Sequence, residues 1–237
     1  MNQPAPLPFI LPGRQIVSVA GPDARDLLQR LITVDLVGLE PGDCRPGALL
    51  TPQGKILVDF LVLADGDTVW LDVPASAAEG LLKRLTLFKL RAKAEIILNT
   101  GMRALWSTTP FPGSAEDPRL AGRVHRGIGA RGSEDRPLDT LEIQAGAPAF
   151  GRDYGEADVF PTDVNLDAYG GVGWKKGCFI GQEVVSRMKR RGTIRKRSLP
   201  ATFAAEAPPP GTAVMAGPTT VGAISSASGH HAVILAR

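Results

Sequence analysis

Residues 16–20 alternate apolar and polar side chains in a short β-branched run, and Gly21-Pro22-Asp23 follows as a turn whose proline is placed to open a helix. The next segment carries Ala24, Leu27, Leu28 and Leu31 at helical spacing, with Asp23 and Asp26 at the end where the helix dipole favours acids. A strand running into an amphipathic helix is therefore expected. Residues 47–50 and 56–63 read as strands joined by a tight turn at Thr51-Pro52-Gln53-Gly54, with a third antiparallel neighbour at 68–73. A second helix is expected from Ala75 to about Leu90, with Ala78, Leu81, Leu82, Leu85 and Phe88 inward and Lys83, Arg84 and Lys89 toward water. A strand then follows at 94–98.

This order predicts an α+β layer sandwich, helices packed on a mostly antiparallel sheet. Further on, strands are expected at 103–107 and 122–126, a short helix at 139–145, and Gly/Pro-rich loops at 109–118 and 127–136. Beyond Arg197, short runs at 213–215, 219–225 and 232–236 read as small β-strands between proline and glycine turns. A unit so small has too little core to stand alone and must pack on the rest. The expected division is 1–100, 101–197 and 198–237.

Composition narrows the class. The chain has 237 residues with 43% hydrophobic content, enough for a sizeable core, and it carries Gly 27 and Pro 20, which implies many turns. Cys44 and Cys178 stand far apart, so no disulfide framework is indicated and a reducing, cytoplasmic setting is expected. The N-terminal stretch shows no charged leader and no long apolar run, and no membrane partner is expected. With three histidines and two cysteines, no metal held by this chain alone is expected.

Charge is unevenly spread. Residues 175–197 hold nine basic residues against the single acid Glu183, while the rest of the chain is net acidic. A local anionic partner is implied. Within this segment Cys178 sits between two glycines, after Lys175 and Lys176 and just before a helix expected from about Gly181 to Arg191, with Gly192 as its stop. A helix N-terminus and neighbouring ammonium groups both favour a thiolate, which would be a nucleophile or a soft-metal ligand. A free cysteine is also among the most commonly buried residue types, and spacing alone does not choose between the two.

Residues 176–183, KGCFIGQE, resemble the K-G-C-[YF]-x-G-Q-E signature of the YgfZ-type folate-binding proteins, which are related in fold to the aminomethyltransferase (T-protein) of the glycine cleavage system. The resemblance continues through Val184–Arg197, through residues 19–35 with their Thr33-Val34-Asp35, and through Leu50-Thr51-Pro52-Gln53-Gly54-Lys55. It implies an aminomethyltransferase-like fold with ferredoxin-like layers around a central channel and a small C-terminal β-barrel, the N-terminal part binding folate. It implies tetrahydrofolate as the cofactor, and a role in assembling or repairing iron–sulfur clusters in client proteins. Cys178 becomes the reactive thiol, with Lys176, Gly181, Gln182, Glu183 and Arg187 as its surroundings. T-protein relatives often carry two adjacent acids in G-x-[IL]-x-D-D-[LF]; here only Asp59 remains, either contacting the pterin and its N5 region or facing solvent as an ordinary strand residue.

The leading expectation is thus a tetrahydrofolate-binding accessory factor without classical turnover, partnered by iron–sulfur client or scaffold proteins. One cysteine cannot retain a cluster, so any bound cluster would be transient and shared with a second chain or a small-molecule thiol. The alternative is a folate-dependent aminomethyltransferase-like enzyme, a reading weakened by the loss of one acid of the pair. Nucleic acid is disfavoured, because no aromatic lies between Arg187 and Arg197 to stack on bases.

Overall fold

The computed structural model describes residues 7–237. The first six residues of the N-terminal stretch, read above for a leader, lie outside the described residues. In chain order the elements are β1 (Phe9–Ile10), β2 (Arg14–Ala20), α1 (Ala24–Leu31), β3 (Cys44–Leu50), β4 (Ile56–Asp65), β5 (Thr68–Pro74), α2 (Ala75–Lys89), β6 (Glu95–Asn99), β7 (Arg103–Ser107), β8 (Ala115–Glu116) and β9 (His125–Gly129). There follow α3 (Asp139–Ala145), α4 (Gln182–Arg190), β10 (Arg197–Thr202), β11 (Ala213–Ala216), β12 (Thr219–Ser228) and β13 (His231–Ala236). Among the described residues no helix is long and apolar enough to cross a membrane.

Two units divide the chain, each drawn from separated segments. The first comprises the stretch up to Leu27, Val37–Arg45 and Phe60–Leu138. In it β2 pairs antiparallel with β5 on one side and β6 on the other, and β5 pairs with β4. Ile16, Val17 and Val19 are all buried, so β2 is covered on both faces, as expected of a central strand. Helix α2 buries Ala78, Leu81 and Leu85. Leu82 is only half-buried and Phe88 is exposed, so the inward stripe is narrower than the sequence suggests.

A second small sheet of this unit runs in the order β1-β7-β9-β8. Strand β9 begins three residues later than the sequence indicates and occupies part of the expected 127–136 loop. Turn chemistry sets that offset: Pro118 opens a 3₁₀ turn that ends with Ala121 and Gly122 both left-handed, delaying the strand. Gly127 and Gly129 lie in this strand as glycines because a Cβ there would lie 2.8 Å from the Phe111 ring and 2.8 Å from Leu105 Cδ1.

The second unit comprises Leu28–Leu36, Pro46–Asp59 and Asp139–Arg237. Its core gathers Leu50 and Ile56, from either side of the 51–55 turn, with Tyr154, Val159, Val164, Leu166, Phe179 and Val185. The C-terminal strands form a sheet in the order β10-β13-β12-β11, and α3 packs against β10, β12 and β13. Strand β10 carries a proline, Pro200, which hides it from a propensity reading. As an edge strand it tolerates the lost donor.

Candidate functional site

Two distant sequence motifs meet in the second unit through paired glycines. Gly181, left-handed at φ 78°, is the residue before α4, and Gly54 ends the Thr51-Pro52-Gln53 turn at φ 80°. A Cβ on Gly181 would fall 2.6 Å from the Thr51 carbonyl oxygen and 3.0 Å from Gly54 Cα, and one on Gly54 would press on Val184 and Val185. Backbone therefore meets backbone, an approach open only to glycine. Gln182 Nε2 reaches back toward the Gly177 carbonyl at 3.4 Å, closing the loop that holds Cys178.

Lysine 176 fixes the other end of that loop. Its Nζ donates to the carbonyls of Ile32 at 2.8 Å and Val34 at 2.7 Å, and the side chain is buried. Thr33 adds to the anchor: its hydroxyl donates to the Gly171 carbonyl at 2.7 Å and accepts from the Ala48 N–H at 2.9 Å, while its carbonyl accepts from Gly173 N–H. Burial pushes the Lys176 ammonium down to about 8, and the nearby Asp35 carboxylate only partly opposes this. The folded chain thus holds that proton less tightly than the unfolded chain does. Its contribution to stability is fully present above the unfolded lysine value and is lost as pH falls through about 8. In urea unfolding, wild type should gain stability relative to Lys176→Met between about pH 8 and 10.5. Parallel pH curves would contradict this.

With both ends anchored, Phe179 points into the core and Cys178 points out. Phe179 is buried and the Cys178 thiol is exposed. Cys178 lines an open groove of about 880 Å³ together with Pro52, Trp174, Gln182, Glu183 and Lys189. Lys189 Nζ sits 3.9 Å from the centroid of the Trp174 ring, so one groove wall is a cation on an aromatic face. Helix α4 stops where the sequence indicates, at Gly192, whose N–H donates to the Lys189 carbonyl.

Of the sequence-nominated residues, Cys178, Gly181, Gln182 and Glu183 converge on this groove. Lys176 is an anchor beneath the loop, and Arg187 forms an exposed ion pair with Glu183 one turn away at 2.8 Å. Asp59 belongs to a different setting. Its Oδ2 accepts from the Tyr154 hydroxyl at 2.7 Å, and its Oδ1 is buried with no hydrogen-bond partner among the described residues. Val58, at the position of the first acid in the T-protein pattern, is buried. Arg197 of the basic segment is engaged bidentately by Asp167 at 2.5 and 2.9 Å, which removes it from the cations open to a phosphate. Trp174, Tyr154 and Thr33 carry parts of the site that their sequence positions alone do not assign.

Cys44, unassigned from sequence, lies in the first unit beside a buried ionic cluster. Burial pushes its thiol well above the ordinary range, and the Asp117 charge adds to the effect. Among the described residues no group of three or more His, Cys, Asp or Glu could hold a metal ion. Titration of the native protein with an aromatic disulfide reagent should therefore release about one equivalent promptly, from the exposed Cys178, and the second far more slowly, from the half-buried Cys44. Two equally fast equivalents would contradict the difference in environment.

Comparison with known proteins adds three findings. Residues 195–237 match the CAF17 C-terminal beta-barrel domain. The chain is 33% identical to the mitochondrial iron-sulfur cluster assembly factor IBA57 homolog of Chaetomium globosum, over 90% of this chain and 60% of that protein. It is 31% identical to the homolog of Mycosarcoma maydis over 84% of this chain and 58% of the relative, and 29% identical to IBA57 of Mus musculus over 93% and 73%. The chain spans about 60% of the length of those fungal relatives. Among solved structures it resembles glycine cleavage system aminomethyltransferase T from Bartonella henselae, with a TM-score of 0.71 at 16% identity over 96% of this chain and 77% of that one. At that identity the likeness establishes the fold: an α+β, aminomethyltransferase-like chain ending in a small β-barrel domain.

The expected cytoplasmic location is corrected. The relatives named for iron–sulfur cluster assembly are mitochondrial, which points to mitochondria rather than the cytoplasm. Unpaired cysteines separate reducing from oxidising compartments and do not choose between two reducing ones.

Proposed function

We propose that this chain is an accessory factor in iron–sulfur cluster assembly, acting through the exposed Cys178 thiol at the mouth of its groove. The observation that carries the reading is a doubly anchored loop, held by Lys176 and Gly181, that presents one cysteine to solvent in a chain similar over 90% of its length to a cluster assembly factor. The resemblance of KGCFIGQE to the YgfZ-type signature supports the same role. A single thiolate supplies one ligand, so the cluster is cargo shared with a client or scaffold protein or with a small-molecule thiol. Lys189 and Arg190 in the groove lining carry the positive charge that suits an anionic partner.

Tetrahydrofolate fits the second unit on one structural ground. The buried, unpartnered Asp59 Oδ1 is an acceptor suited to a pterin N–H, with Tyr154 holding the other oxygen in place. When bound, tetrahydrofolate supplies an electron-rich reduced pteridine. Asp59 orients the ring, and Tyr154 fixes Asp59. The loss of the first acid of the pair, with Val58 in its place, favours a binding role over aminomethyl transfer.

The experiment is restoration of iron–sulfur enzyme activity in cells lacking this protein, paired with calorimetric titration of tetrahydrofolate into the purified chain. The reading expects restoration, together with saturable binding that Asp59→Ala weakens by about tenfold or more. Unrestored enzyme activity would overturn the assembly role; binding indifferent to Asp59 would overturn the folate assignment.

A further inference from the structure

Helix α2 in the first unit leaves large apolar side chains in solvent as well as in the core. Its inward side buries Ala78, Leu81 and Leu85. At 100° per residue, Ser76, Glu79, Gly80, Lys83 and Leu87 fall on the opposite side, and Leu90, just past the last turn, continues that row. Leu87 is 72% exposed, Phe88 42% and Leu90 86%. Large apolar side chains exposed close together mark a contact surface. Here one side meets its own sheet, and the other is left to solvent among the described residues.

Charge says what covers it. Between Glu79 and Glu95 the chain carries Lys83, Arg84, Lys89, Arg91 and Lys93 and no acid. Lys83, Arg84, Arg91 and Lys93 are exposed around the three apolar side chains. Large apolar side chains set among cations suit the interface of an anionic bilayer, where leucines enter the acyl boundary and the cations meet phosphates. Just past the helix an open hollow of about 360 Å³ is lined by Gly21, Lys89, Lys93 and Glu95, room enough for a phosphate headgroup. Leu90 ends the helix at φ 47° and projects as a convex tip. A fluid lipid interface receives such a tip without a preformed groove.

We propose that the outward face of α2, centred on Leu87 and Leu90 and ringed by Lys83, Arg91 and Lys93, docks on an anionic phospholipid surface. The chain lies on that surface and does not span it, in keeping with the absence of a membrane-crossing helix among the described residues. Asp23 is an acid of this region as well, its Oδ2 accepting from the Lys93 backbone N–H at 2.7 Å. Glu79, one turn before Lys83 on the outward side, and Glu95, on the hollow's own lining, are the exposed acids of this region, outnumbered by Lys83, Arg84, Lys89, Arg91 and Lys93.

The test is co-sedimentation of the full chain with vesicles of phosphatidylglycerol and phosphatidylcholine, against vesicles of phosphatidylcholine alone. Binding should appear only with the anionic lipid and fall with added salt. Each of Lys83→Gln, Arg91→Gln and Lys93→Gln should weaken it by about fivefold. Leu87→Ser with Leu90→Ser should weaken it by about tenfold or more. These positions are exposed, so the variants keep the fold, and unchanged circular dichroism verifies it. No association with anionic vesicles overturns the proposal, as does association that survives loss of both leucines. Loss only on replacing Lys189, Arg190 and Arg191 would assign the contact to α4. A dimer in solution that the leucine variants dissociate would make a second copy of the chain the occupant and would also overturn it.

Discussion

Replacing Asp72 with alanine is expected to destabilise the first unit by about 3–5 kcal/mol. Asp72 is fully buried and accepts from Arg14 Nε at 2.6 Å and from Arg126, itself buried. Arg126 continues to Asp117 at 3.4 Å, and Asp117 is gripped by Arg119 at 3.0 and 2.7 Å, so five charges alternate in sign across the interior. Burial alone would push the Asp72 carboxyl up, but Arg14 and Arg126 more than offset it and hold it below the usual carboxylate range. The stabilisation it brings is present above the unfolded carboxylate value and is lost as pH falls through the lower folded one. Without Asp72, Arg126 keeps only its long contact to Asp117, and its Nε already lacks a hydrogen-bond partner among the described residues. A buried guanidinium left this way accounts for the size of the effect. Thermal unfolding should shift down by roughly 10 °C. A shift of a degree or less would mean that the cluster contributes nothing net.

Replacing Cys178 with serine should abolish restoration of iron–sulfur enzymes in cells while leaving the fold intact. The thiol is exposed and the loop's anchors lie elsewhere, in Lys176, Thr33 and Gly181, so stability should change by no more than about 0.5 kcal/mol. Tetrahydrofolate affinity should also persist, because Asp59 and Tyr154 are untouched. Serine keeps the shape and hydrogen bonding of the side chain but is a poor ligand for iron at neutral pH. Enzyme activities in these cells should equal those of cells without the chain; activity at the wild-type level would make the thiol dispensable.

Local elements were legible where a period and a boundary signal coincide. The stripe of Ala24, Leu27, Leu28 and Leu31 with its Gly-Pro-Asp start, and the Gly192 stop of α4, appear as the sequence indicates. Strand β9 was displaced because Ala121 and Gly122 adopt left-handed turns that apolar alternation does not register. Lys176 and Thr33 could be quoted as motif members, but their work consists of hydrogen bonds spanning about 140 residues of chain, which no local window carries. The pairing of Gly54 with Gly181 is of the same kind: each glycine reads as a turn, and only the fold brings the turns together. Asp59 was left between pterin contact and solvent by the sequence, and its buried, half-satisfied carboxylate is what motivates the folate reading.

The most direct test of the account is visible-region circular dichroism of the chain mixed anaerobically with a glutathione-ligated [2Fe–2S] cluster. A cluster held by a side chain in a chiral site acquires dichroic bands that the free complex lacks. The account predicts such bands with wild type and their disappearance with Cys178→Ser. Equal bands from the two proteins, or none from wild type, would contradict a role for Cys178 as the ligand that receives the cluster.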